Sequence, residues 1–177
     1  MGKHKKWIQI VILTAVVLIG AVTIGGSLFS EGNKAPAAGD KAPAFTLSGL
    51  DGKQHSLSDY KGKYVLVNFW GTFCPPCVEE MPAIQSQYHH WNKEKPFEVL
   101  GINLSEDAFT VKSFMNQYGL NFPVALDTNR TIEKKYGLVS YPTSFFIGPD
   151  GRIVEMYQGG MDETMLKLKI EKLLSAS

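Results

Sequence analysis

Residues 64–77 read YVLVNFWGTFCPPC. The first half, YVLVNFW, is dense in β-branched and aromatic residues and has little polar alternation. Such a run predicts a central strand covered on both faces. Cys74-Pro75-Pro76-Cys77 then opens a helix expected to run to about Asn92. Prolines fit the first helical turn, where an N–H has no intrahelical partner. Pro82, further in, is expected to kink the helix.

A strand-to-helix junction suits thiol chemistry. The N-terminus of a helix carries partial positive charge and free N–H groups. A thiolate there is stabilised, so its pKa falls and it becomes a nucleophile near neutral pH. Cys74 is expected at the mouth and Cys77 one turn inside. Cys74 would attack a substrate disulfide, and Cys77 would resolve the mixed disulfide. Pro75 and Pro76 remove two N–H donors, so the Cys74 pKa should fall less than in a strongly oxidising enzyme. Glu80 lies at i+3 from Cys77 and can share its helix face. It is either a general base for the resolving thiol or an ordinary solvated glutamate, as Glu79 is expected to be.

Upstream, 45–47 and 54–57 flank Asp51-Gly52 and predict a β-hairpin. Ser58 is expected to cap a short helical turn ending at Gly62. Downstream, 97–104 predicts a second buried strand and 111–118 a helix stopped by Gly119. A strand at 123–126, a helix at 131–136 and a strand at 144–147 follow. Pro149-Asp150-Gly151 turns the chain into a strand at 152–157, and 161–174 closes it as an amphipathic helix. Strands alternating with helices predict an α/β sheet with parallel pairs, and the last hairpin adds an antiparallel edge.

Residues 8–28 carry no charge, and Lys3, Lys5 and Lys6 precede them. About 20 residues cross the hydrocarbon of a bilayer. Positive flanks stay in the cytoplasm, so 1–7 are expected inside, 8–28 as a transmembrane anchor and the remainder outside. A cleaved signal peptide would have a shorter core closed by a small-x-small pair, which this run lacks. Residues 29–41 are small and polar and suit a linker, with the folded domain at 42–177.

The chain is 44% hydrophobic and 11% aromatic, enough for a packed core. Three of the 18 Lys and Arg precede the apolar run, leaving 15 against 17 acids. That balance gives nucleic acid no basic face to bind. Two cysteines do not make a disulfide scaffold. Cys74, Cys77, His89 and His90 roughly imitate zinc-finger spacing. Adjacent histidines on a helix diverge by about 100°, however, so no metal is expected. Haem attachment needs a histidine after the second cysteine, and position 78 is Val. A purely structural disulfide would close too short a loop to constrain the unfolded chain much. No cofactor is expected beyond the Cys74–Cys77 disulfide. Trp70 and Phe73 divide between core and rim. Trp70, Phe73, Tyr141 and Pro142 are the candidate substrate-binding residues.

Three stretches carry a resemblance: APAFTLSGLDGK (42–53), NFWGTFCPPCVEEMP (68–82) and NFPVALDTNRTIEKKYGLVSYPTSFFIGPDGRIV (121–154). With the N-terminal apolar run, they resemble the ResA/TlpA-type extracytoplasmic thiol-disulfide oxidoreductases of the thioredoxin superfamily, over about 42–175. The resemblance implies a thioredoxin-like fold with an N-terminal β-hairpin and a central insertion at 105–130, preceded by one transmembrane helix. It implies exchange at Cys74 and Cys77, assistance from Glu80, and a cis Pro142 facing the cysteines. It also implies a disulfide in an exported protein as substrate, such as apocytochrome c, and a membrane thiol electron donor. The catalytic domain would then lie on the extracytoplasmic side of the cell membrane. Some relatives serve spore envelope assembly instead. Two departures stand out. Pro75 replaces an acid common in ResA-type members, and Asn68 lies in the strand that carries a buried aspartate in thioredoxin, which leaves Glu80 as the acid candidate. The opening APAFTL also resembles peroxiredoxins, whose peroxidatic cysteine follows a Pro and Thr pattern missing here. A thiol peroxidase is therefore the alternative reading.

Overall fold

A computed structural model describes residues 35–175, together with Trp7 and 12–14, which are helical. The chain divides between Lys34 and Ala35. The expected span 8–28 lies almost wholly outside the described residues. Among those described, no helix is long and apolar enough to cross a membrane.

In chain order the elements are β1 (Thr46–Gly49), β2 (Gln54–Ser56), a 3-10 turn (Leu57–Tyr60), β3 (Tyr64–Trp70) and α1 (Pro75–Glu94). There follow β4 (Phe97–Leu104), α2 (Ala108–Gln117), β5 (Val124–Asp127), α3 (Thr131–Lys135), β6 (Thr143–Ile147), β7 (Ile153–Gln158) and α4 (Glu163–Ser175). The strands form one sheet in the order β2-β1-β5-β4-β3-β6-β7. β3–β4 and β4–β5 are parallel, and the remaining pairs are antiparallel.

β3 lies inside the sheet between β4 and β6, and every residue of it is buried. Its side chains alternate between the two faces, as strand geometry requires. Leu66 and Trp70 enter one core with Met81, Ile84, Leu166 and Ile170 of α1 and α4. Val65, Val67 and Phe69 enter the other with Tyr136 and Phe145. The parallel strands β3 and β4 stay in register to their ends, with Trp70 opposite Asn103. The loops that leave those two ends therefore meet on one side of the sheet.

Three local expectations differ from the structure. The short turn is capped by Ser56, not Ser58, and the Asp59 carboxylate accepts from the Ser56 N–H at 2.8 Å. α2 starts before Val111 because the Asp107 carboxylate accepts from the N–H groups of Phe109 and Thr110, both at 2.9 Å. The last stretch of the expected linker is tied to the domain. Gly39 donates to the Ile153 carbonyl at 2.8 Å, Ile153 donates to the Asp40 carbonyl at 2.9 Å, and Lys41 pairs with Arg152.

Candidate active site

β3 ends at Trp70 and α1 begins at Pro75, so the intervening loop hangs between a rigid strand and a rigid helix. Its backbone is held from the side by Glu106, just past the end of β4. One carboxylate oxygen accepts from the Thr72 N–H at 2.8 Å and from the Asn103 side chain at 2.7 Å. The other accepts from the Thr72 hydroxyl. Sequence reading had not singled out Glu106. Its one signal is an acid immediately after the C-terminal end of a parallel strand, where sites in such sheets collect.

Cys74 is the N-cap of α1, with Pro75 as its first residue. It is disulfide-bonded to Cys77, with Cα atoms 5.2 Å apart. The two sulfurs differ in access. Cys74 is 8% exposed and Cys77 is sealed at 0%. An external thiol or disulfide can therefore reach only Cys74.

Glu80, one turn beyond Cys77, is 1% exposed. Its carboxylate accepts from the Asn68 side-chain amide at 2.8 Å and from the Met161 N–H at 3.1 Å. Burial pushes its pKa up to about 7, and the two hydrogen bonds pull back against that. Glu79, its neighbour, is exposed to solvent. Asn68, in the middle of β3, also donates to the Ser144 hydroxyl at 3.0 Å. The helix, the central strand and the segment before α4 thus meet on one buried acid.

The Tyr141–Pro142 bond is cis. Thr143 lies opposite Phe69, which brings Pro142 alongside the end of β3. The Pro142 carbonyl accepts from the Gly159 N–H at 2.8 Å. A Cβ on the next residue, Gly160, would stand 3.1 Å from the Pro76 carbonyl. Pro142, the Gly159-Gly160 segment and the proline between the cysteines are therefore linked in one contact chain. Phe73 is 59% exposed, and its ring folds back so far that a Cβ on Gly71 would meet it at 2.4 Å.

Trp70, expected among the substrate-binding residues, is fully buried and packs on Phe114 with ring centroids 5.3 Å apart. It is a core residue under the insertion and cannot touch a substrate. His89 faces Asn121 at 3.3 Å, and His90 faces Glu94 at 3.9 Å. Among the described residues no group of three or more His, Cys, Asp or Glu could hold a metal ion.

A buried strand that delivers a one-sided disulfide to the start of a helix defines a thiol-disulfide oxidoreductase on a thioredoxin-like fold. The Redoxin family model matches residues 37–174, and the chain belongs to that family. It is 38% identical over 165 residues to the thiol-disulfide oxidoreductase ResA of Bacillus subtilis, covering 92% of each chain. It is 38% identical over 175 residues to ResA of Bacillus cereus, covering 98% of this chain and 99% of that one. Among solved structures, a thioredoxin-family thiol:disulfide interchange protein from Chlorobium tepidum superposes with a TM-score of 0.69 at 30% identity. That match covers 80% of this chain and 99% of the other. StoA from Bacillus subtilis superposes with a TM-score of 0.63 at 28% identity, over 72% of this chain and 96% of StoA.

Proposed function

We propose that this chain is a membrane-anchored reductant of disulfides in exported proteins, with apocytochrome c as substrate and its domain on the extracytoplasmic side. The observation that carries the reading is the unequal access to the two sulfurs, with a buried acid one turn behind the sealed one. In the reduced enzyme, the Cys74 thiolate attacks one sulfur of the substrate disulfide. The other substrate sulfur leaves as a thiolate and takes a proton. Glu80 then takes the Cys77 proton, the Cys77 thiolate attacks Cys74 Sγ, and the first substrate sulfur leaves as a thiolate and takes a proton in turn. The substrate gains two electrons and two protons, and Cys74–Cys77 is left as a disulfide. A membrane thiol carrier reduces it again.

The lysine-flanked apolar run 8–28 supports the anchor, and the likeness to ResA supports apocytochrome c. Pro75, in place of an acid between the cysteines, favours a second reading, an exported protein of spore envelope assembly. The test is twofold. A reduction potential near thioredoxin's, about −270 mV or lower, fits a reductant, and a value near −120 mV overturns that reading. Full-length Cys77→Ser is then mixed with a peptide carrying a Cys-x-x-Cys-His disulfide. A mixed disulfide trapped on Cys74, and none in the Cys74→Ser, Cys77→Ser double variant, is expected. An enzyme that traps other disulfides but never this peptide is not an apocytochrome reductase.

A further inference from the structure

Behind the Tyr141–Pro142 segment lies a charged cluster that the exchange chemistry does not use. Glu133 of α3 is only 5% exposed. Arg130 grips its carboxylate through both Nε and an Nη, and the Tyr141 hydroxyl donates to the same carboxylate. Arg130 also donates to the Tyr141 oxygen at 2.9 Å. The guanidinium holds the Glu133 carboxyl below the ordinary carboxylate range. Arg130 itself has φ +56, a conformation uncommon outside glycine. A buried carboxylate needs such partners, because an unpaired one would be strongly destabilising. Tyr141 is thus clamped from behind at the point where it meets both hydrophobic cores.

The clamped segment borders the cysteines. It enters β6 beside the end of β3, and its Pro142 carbonyl binds Gly159, whose neighbour packs on Pro76. Two residues before Tyr141, Val139 is 85% exposed. Phe73, from the cysteine loop, is a second exposed apolar residue at the same end of the β3–β6 pair. A polypeptide is large enough to extend from Cys74 onto these exposed apolar residues. A small disulfide is too short to do so.

We propose that Arg130 and Glu133 are positioning residues that, through Tyr141, fix the surface on which a polypeptide disulfide docks over Cys74. This rests on exchange at Cys74. The test uses the full-length chain and two substrates, oxidised insulin and a small aromatic disulfide. Glu133→Leu removes the shared acceptor at similar volume. Its KM for insulin should rise about tenfold, the effect of losing one hydrogen bond to a charged group, with kcat nearly unchanged. Turnover of the small disulfide and the Cys74–Cys77 reduction potential should not move. Glu133→Gln, which keeps an acceptor for the Tyr141 hydroxyl, should restore most of the insulin KM. Arg130→Met gives a second route to the same result if Glu133→Leu folds poorly. An unchanged ratio between the two substrates in both disrupting variants overturns the proposal. An equal loss on both substrates also overturns it, since that is the mark of a purely structural staple. Failure of exchange itself would appear separately, as a wild-type chain inactive on the small disulfide.

Discussion

Glu80 is held where water cannot stabilise its charge, so its protonated form is favoured in the folded state. Carrying a carboxyl from the ordinary 4.5 to about 7 corresponds to about 3 kcal/mol between the two protonation states. Because the folded value is the higher one, this contribution is fully present below pH 4.5 and is lost as pH rises to about 7. Wild-type stability should therefore fall between pH 5 and pH 8 relative to Glu80→Gln, as read from denaturant midpoints. Parallel pH profiles for the two proteins would refute this. The same carboxyl should set the pace of resolution. In Glu80→Gln the mixed disulfide should persist about a hundredfold longer at pH 7, the usual worth of a general base. Quenched-flow mass analysis of the adduct checks it.

Among the elements, the loop from Gly71 to Phe73 depends on a partner elsewhere in the fold. Glu106 receives both the N–H and the hydroxyl of Thr72. Replacing it with alanine should cost about 1–2 kcal/mol, a modest figure because the carboxylate is half-buried. Attack at Cys74 should slow in step, as the loop loses its anchor. Glu106→Ala with wild-type midpoint and wild-type attack rate would remove Glu106 from the site. Sequence legibility followed the same division. β3 and β4 were readable to the residue because burial, complete along β3 and broken only at Glu98 in β4, dictates side-chain type along the strand. The start of α2 was not, because exposed Phe109 breaks the apolar period and the cap at Asp107 sits outside it. Cys74 and Cys77 were legible from local spacing, whereas spacing left Glu80 open between a general base and a solvated glutamate, and only the resemblance favoured the first. Glu106 and Glu133 were not legible, since Glu106 acts on a residue far along the chain and Glu133 looks like any helical surface acid. The pairing of residues 39–41 with β7 is made by backbone groups, which leave no mark in a sequence.

For the whole molecule, stability should be graded across the sheet. β3 and β4 pair over seven positions at its centre, whereas β1 meets β5 over two. In hydrogen exchange, amides of 64–70 and 97–104 should outlast those of 46–49 and 54–56 by orders of magnitude. Equal protection would mean the hairpin belongs to the same cooperative unit.

The strand order also constrains when the parts can come together. The hairpin of β1 and β2 is made first on the ribosome, yet the strand that receives it, β5, is made after both central strands. Until then β1 presents an open edge to any passing strand. Its shortness, four residues, limits how well a stranger could pair with it. The insertion that carries β5 thus acts as a latch, and its arrival decides when the hairpin stops being a free end and becomes part of the sheet.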